Sequence, residues 1–306
     1  MGRHGIRGKD RKKNKKPNGF PRNYELVAHD RTSEAFVKFY QAQGIIPPEE
    51  WDAFIAALKR ELPSSFRLVG CKKEADVLRD ILNTRYISQL EGIEVEEEEI
   101  EPPKPLPWYP NNLAYQMKMS RTVIRKNTIL NKLHNFLVTE TELGNISRQE
   151  TVSMIPPLLL DVEPHHKVFD MCAAPGSKTM QLIEMLHSAG DSQAVPEGFV
   201  LANDVDNTRC YLLVHQALKR MPTPCALVVN HDATSMPRIR IDEAESANSA
   251  KFLTFDRVLC DVVCSGDGTL RKNPDLWRKW NPNLGNGVHK TQFKIAKRGM
   301  EMLAVG

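Results

Sequence analysis

Apolar positions recur at helical spacing in the first half of the chain and change to strand-like runs in the second. Thr32 or Ser33 stands where an N-cap would, opening a short helix to about Gln43. Pro48 then occupies a first helical position ahead of Glu49 and Glu50, and Trp51, Phe54, Ile55 and Leu58 follow on one face, which predicts a second helix. Phe66 to Val69 predicts a short strand closed by Gly70, and Glu74 to about Tyr86 another helix. Prolines 102, 103, 105, 107 and 110 surround Trp108 and Tyr109, a run that disfavours helix and reads as a boundary or a stiff ordered loop. Ile129, Leu130, Leu133, Phe136 and Leu137 share the face of a helix over about 129–139, and Pro156 and Pro157 limit the apolar segment after it.

From His165 the period changes. Strands predicted at 166–170, 199–204, 226–231 and 257–262 alternate with helices at about 177–188 and 208–221, the order expected of an α/β fold with a parallel sheet and crossover helices. The expected organisation is a tail at 1–30, a helical α+β region at 31–101, a connecting region at 102–157 and the α/β domain at 158–306.

Composition adds limits. The 306 residues, 41% hydrophobic and 26% charged, suffice for a sizeable core. The net charge of +4 is modest, but residues 1–16 carry Arg3, Arg7, Lys9, Arg11, Lys12, Lys13, Lys15 and Lys16 against Asp10 alone. Such a disordered basic tail fits phosphate neutralisation, a nuclear address, or both. The acidic run at 94–101 reads as a solvated loop rather than a metal site. Six cysteines, at 71, 172, 210, 225, 260 and 264, form neither a CxxC pair nor a secreted framework, and no apolar stretch is long enough to span a bilayer. An intracellular protein with free thiols is expected.

The candidate chemistry lies at the predicted strand ends. Asp170, Met171, Cys172, Ala173, Ala174, Pro175, Gly176, Ser177, Lys178 and Thr179 join the first strand of the α/β region to a helix. Small residues let the backbone approach a ligand, Ser177 is placed to cap the helix, and the helix N–H groups can meet a carboxylate or phosphate. The loop has neither the GxGxxG pattern nor the P-loop spacing. The second strand runs into Asp204 and Asp206, the third into Asp232, and the fourth into Asp261 and Cys264. With Asp170, every strand end is expected to present an acid on the ligand-facing rim of one sheet, where carboxylates can accept from a ribose diol or an amino group. Each has a plainer alternative. Asp204, Asp206 and Asp232 could cap the next helix, Cys172 could only pack beside the loop, Lys178 could form only a salt bridge, and Cys260 reads as packed core.

Together, Asp-Met-Cys-Ala-Ala-Pro-Gly-Ser-Lys-Thr, Ala-Asn-Asp-Val-Asp, Asn-His-Asp-Ala and Asp-x-x-Cys-Ser-Gly-Asp-Gly resemble the Sun-domain family of RNA (cytosine-5)-methyltransferases. Pro-Trp-Tyr-Pro at 107–110 and Ser147 to Pro157 fit its eukaryotic tRNA branch. The resemblance spans about residues 34–306. It implies a Rossmann-like class I methyltransferase sheet, S-adenosylmethionine as cofactor, and tRNA as partner with other RNA within range. It implies no obligate protein partner and no membrane, a nuclear or nucleolar family address with the cytoplasm as alternative, and an RNA-facing role for 102–157. On this resemblance Cys172 to Lys178 would border the cofactor, Asp204 would hold the ribose, Asp232 the adenine, and Asp261 would face both cofactor and cytosine. Lys178 would support the chemistry, and Cys264 would assist product release.

Two departures stand out. Val263 takes the place of the proline expected before Cys264, which restores a backbone N–H and loosens the aim of the thiol. The expected nucleophilic cysteine, in a Thr-Cys motif after a fifth strand, is not in this sequence, so the chain is expected to be shortened at its C-terminus. A catalytically impaired fragment or paralogue that binds RNA or cofactor is therefore the alternative reading.

Overall fold

The computed structural model describes residues 31–95, 98–118, 127–187, 195–221, 224–241 and 251–305; the basic tail lies outside them. The first helix, Glu34–Gln43, is capped by Ser33, whose hydroxyl accepts from Phe36 N. A turn at Pro48–Glu50 leads into the helix Trp51–Lys59. Strand β1 (Ser64–Leu68) follows, and then the helix Ala75–Ile81. Short strands β2 (Glu94–Val95), β3 (Glu98–Glu99) and β4 (Lys104–Pro105) lead to β5 (Ala114–Met117), the helix Thr128–Glu142 and β6 (Ile146–Arg148).

β4, β5, β1 and β6 form one antiparallel sheet in that order, with Ser65 opposite Gln116 and Phe66 opposite both Tyr115 and Arg148. The proline-rich stretch thus contributes strand and turn, and the sheet joins residues from both sides of position 101. Leu68, Leu82, Leu90, Leu130, Leu133 and Ile146 bury its core.

The second sheet holds β7 (Lys167–Asp170), β8 (Phe199–Asn203), β9 (Ala226–Val229) and β10 (Arg257–Leu259), all parallel, in the order β10-β7-β8-β9. These strands are near-continuous apolar runs because helices cover both faces. On one face Met180, Leu182, Ile183 and Leu186 of the helix Ser177–Leu186 pack with Leu213 of the helix Asn207–Gln216. On the other, Ile295 and Met302 of the helix Asn283–Met302 pack with Phe169 and Phe255. This is the Rossmann-like architecture, preceded by an α+β region. No helix among the described residues is long and apolar enough to cross a membrane.

Among the contacts that couple the halves, two are networks of buried groups. Phe36 packs with Trp277 and Trp280, while the Tyr40 hydroxyl and Trp280 Nε1 donate to the Asp267 carboxylate at 2.5 and 2.7 Å. Burial and the Asp267 charge together raise the Tyr40 phenol above its ordinary range, so it stays a donor. The other contact is a buried polar network around Arg67, which is 0% exposed and pairs with Glu184 of the helix Ser177–Leu186.

Candidate active site

A parallel sheet places its strand ends and following loops along one rim, where ligands enter. Here the loops after β7 and β8 are pinned to neighbouring strands. Met171 N donates to Leu259 O at 3.0 Å, and Ala173 N donates to Asn203 O at 2.7 Å. Asn203, at the end of β8, is fully buried and ties the loops after β7 and β9 to it. Its amide donates to Met171 O and His231 O, each at 3.0 Å, and its side-chain oxygen accepts from His231 N at 3.0 Å.

The rim surrounds a cavity of about 630 Å³, bordered by Cys172, Ala174, Asp204, Asp232, Asp261 and Cys264. That size fits a small-molecule site, which commonly runs ~300–1,000 Å³. Its walls mix the carboxylates with Val205, Ala233, Val262 and Ile295. The combination suits a ligand with hydroxyl or amino donors and a flat apolar part, such as a nucleoside. A neighbouring recess of about 340 Å³ shares Cys172, Ala174 and Asp261 with the cavity and adds Ala173, Pro175, Ser177 and Lys178. Lys178 Nζ donates to Asp261 Oδ2 at 2.6 Å, across the shared border. Gly176 borders neither space.

The geometry corrects two expectations and decides between the two readings of Asp206. Asp170 is not an exposed rim acid: it borders the smaller recess but is 1% exposed, and its Oδ2 accepts from the Thr179 hydroxyl at 2.7 Å, holding the helix Ser177–Leu186 to β7. Ser177 is not the cap of that helix. Gly176 holds the cap position at φ +109°, a conformation that side chains rarely adopt. Asp206 is the cap of the helix Asn207–Gln216, accepting from Arg209 N at 3.1 Å.

Asp204 and Asp232 border the cavity and also serve the protein. Asp204 accepts from Ala174 N at 3.3 Å and Asp206 N at 3.0 Å, with Arg209 Nη2 at 3.4 Å. Asp232 accepts from Thr234 N at 2.8 Å, and this bond holds its carboxyl below the ordinary aspartate range.

The two cavity thiols differ. Cys264 is exposed, whereas burial, helped by the charge of Asp170, pushes Cys172 up to about 12, so Cys172 stays protonated at neutral pH. Cys260 packs its sulfur against Met171 Sδ at 3.3 Å. Arg209, Thr291 and Lys294 also border the cavity and escaped strand-end reasoning. Thr291, Lys294 and Ile295 are spaced i, i+3, i+4, a signal that they share one helix face, but nothing local says which ligand that face meets.

Burial raises the Asp170 carboxyl to about 7, with Asp261 adding repulsion and the Thr179 hydroxyl opposing. A raised acid pKa makes the folded state hold a proton that the unfolded chain has released. The stability tied to that proton is full below about pH 4 and is lost as the pH rises through about 7. Asp170→Asn, neutral throughout, is therefore expected to raise the melting temperature by several degrees at pH 8 and by little near pH 4. Melting curves at both pH values test this, and a difference that does not change with pH would show the carboxyl to be ionised in the fold.

Comparison with known proteins agrees with this geometry. Residues 157–305 match the family described as 16S rRNA methyltransferase RsmB/F. The chain is 50% identical over 308 residues to the tRNA (cytosine(34)-C(5))-methyltransferase of Drosophila melanogaster, covering 97% of this chain and 41% of that protein. It is 48% identical over 279 residues to the multisite-specific tRNA:(cytosine-C(5))-methyltransferase of Saccharomyces cerevisiae, covering 91% and 40%. The chain thus spans less than half the length of these relatives. Among solved structures, NSun6 from Pyrococcus horikoshii with SFG superimposes with a TM-score of 0.57 at 15% identity, covering 90% of this chain and 81% of that one, a likeness of fold. Matching the family over residues 157–305 and similar to eukaryotic tRNA (cytosine-C(5))-methyltransferases over almost its whole length, this chain belongs to the RsmB/F, Sun-domain family of methyltransferases.

Proposed function

We propose that the protein transfers a methyl group from S-adenosylmethionine to carbon 5 of a cytosine in tRNA, with other RNA within its range. The observation that carries this reading is the cavity that gathers Asp204, Asp232, Asp261 and Cys264 past the ends of three parallel strands, β8, β9 and β10, beside the Lys178–Asp261 pair. The names of the two eukaryotic relatives support tRNA as substrate.

S-adenosylmethionine would supply an electrophilic methyl group on its sulfonium. Asp204 would accept from the ribose hydroxyls and Asp232 from the adenine amino group, while Cys172 and Ala174 wall the site. Asp261, positioned by Lys178, orients the cytosine. Carbon 5 of cytosine is a poor nucleophile until a thiolate adds to carbon 6. After carbon 5 takes the methyl group, a base removes its proton, the ring double bond re-forms and the carbon–sulfur bond breaks. Cys264 is the exposed thiol placed to assist that release. The first addition calls for a second thiol of low pKa, a role that the buried Cys172 does not fit. That observation favours the second reading, a cofactor- and RNA-binding protein without turnover. We further propose a nuclear or nucleolar location for the chain, with the cytoplasm as alternative, a reading that draws mainly on the family resemblance and is supported by the basic residues 1–16. Microscopy of a fluorescent fusion with and without those residues tests it.

Calorimetric titration of the chain with S-adenosylmethionine is expected to show binding, weakened about tenfold or more in Asp204→Ala, which removes charge-assisted acceptors. Incubation with labelled cofactor and tRNA, followed by mass spectrometry of nucleosides, then separates the readings. 5-Methylcytidine supports transfer, binding without product supports the second reading, and no cofactor binding sinks both.

A further inference from the structure

Three recesses run into one another across the junction of the two sheets. The recess beside Lys178 and Asp261 shares Arg148, Gln149 and Glu150 with a second of about 360 Å³. The second shares Pro63 and Ser64 with a third of about 550 Å³, which adds Arg60, Lys118 and Arg271. At its other end the trough opens through Cys172, Ala174 and Asp261 into the cofactor cavity.

Its charge is unbalanced. Arg60, Lys118, Arg148, Lys178, Arg271 and Lys272 line it, against the acids Glu61, Glu150 and the buried Asp170 outside the shared border. Arg60 and Arg148 are exposed and pair with no carboxylate among the described residues. Arg271 is held by carbonyls instead, with Nε donating to Arg60 O at 3.1 Å and Nη2 to Glu61 O at 2.7 Å, so its charge is fixed in place without being neutralised. Lys272 Nζ meets Glu150 at 2.5 Å at the narrow end.

We infer that this trough is the track of a single-stranded RNA segment whose phosphates lie along Arg60, Arg271 and Arg148, delivering one unstacked base to the Lys178–Asp261 end. The inference rests on the proposed methyl transfer to RNA, which requires the base to leave its stack. A string of cations, one of them fixed in place, beside serine and glutamine side chains suits a phosphodiester backbone and reads no sequence. Continuity with the cofactor cavity says which end receives the base. Glu150 sits among the phosphate positions as the opposing charge, so removing that charge should tighten binding while removing the arginines weakens it. A purely structural role for these residues would weaken binding in both cases or in neither.

The test measures affinity of the whole chain for tRNA and for an unstructured cytosine-containing RNA across a salt series. Arg60→Ala/Arg148→Ala is expected to weaken both at least tenfold and to flatten the dependence of log affinity on log salt by about 0.7 per lost contact. Glu150→Gln is expected to tighten binding a few fold. Lys219→Ala/Lys297→Ala, which loses the same charge at residues bordering none of the recesses, is expected to change affinity less than about twofold. Cofactor affinity, measured alongside, should stay unchanged in every variant. If the wild-type chain binds RNA but the Arg60/Arg148 variant matches the Lys219/Lys297 control, the trough is overturned while the methyltransferase reading stands. If Arg60/Arg148 does not fold, Glu150→Gln decides alone, and unchanged or weaker binding overturns the trough. A wild-type chain that binds cofactor but no RNA overturns both.

Discussion

Arg67→Met is expected to lower the melting temperature by about 10 °C, on the usual cost of breaking a buried ion pair, ~3–5 kcal/mol, and ~2–4 °C per kcal/mol for chains of this size. Arg67 lies on β1 with no exposed surface. Its guanidinium pairs with Glu184, and Nε donates to Gln149 Oε1 at 2.7 Å. Gln149 continues the network, donating to Ser153 O at 2.9 Å and Gln181 Oε1 at 3.1 Å, and Gln181 donates to Met154 O at 2.9 Å. Removing the cation leaves Glu184, 8% exposed, without its counter-charge. Arg67→Met/Glu184→Met removes both charges and is expected to recover most of the loss. Arg67→Lys should recover little, because a lysine offers no second donor in the plane that reaches Gln149. A single mutant that melts within a degree of wild type would show that the pair contributes nothing. Gln181 and Glu184 sit on the helix that begins at the Cys172–Lys178 loop, so Arg67→Met should also weaken cofactor binding, read by the same calorimetric titration.

The network explains what the sequence could and could not reveal. β7 to β10 were legible because strands buried on both faces leave apolar runs, and their ends lie within three residues of the expected positions. Ser33 and Pro48 announced their helices because capping chemistry is local. β4, β5 and β6 were not legible, since Lys-Pro, Ala-Tyr-Gln-Met and Ile-Ser-Arg form no continuous apolar run, and their register with β1 is set by partners far along the chain. The polar couplings were hidden for the same reason. Nothing near Arg67 specifies Glu184, and Tyr40 and Asp267 are 227 positions apart. At the site, strand-end logic found Asp204, Asp232 and Asp261 as cavity walls but placed Asp170 among them. Burial and the bond from Thr179 turn that side chain inward, and both depend on how the following helix packs.

Packing of that helix also sets the second large effect, expected for Gly176→Ala. Gly176 stands at φ +109°, ψ 3°, and a Cβ there would lie 2.5 Å from Ala217 Cβ and 2.6 Å from Leu213 Cδ1. Leu213 could turn its side chain aside, but a Cβ moves only with its backbone, so the contact with Ala217 forces the loop or the end of the Asn207–Gln216 helix to shift. A strained backbone costs ~1–3 kcal/mol and overpacking typically another ~1–3 kcal/mol, so a total of about 4 kcal/mol is expected. Gly266 separates the two terms. It too has a positive φ, +85°, but an added Cβ would meet Leu276 Cδ2 and Thr269 Oγ1 only at ordinary distances of 3.6 and 3.7 Å. Gly266→Ala should therefore show the backbone term alone, with roughly half the loss or less. Denaturant unfolding of the two variants side by side measures the difference, and equal losses would mean that Ala217 yields freely. The shift should reach the ligand site, because Ala174 N and O are bonded to Asp204 Oδ2 and Arg209 Nη2 two residues before Gly176. Gly176→Ala is accordingly expected to lose affinity for S-adenosylmethionine even where it remains folded, although Gly176 itself touches no part of the cavity.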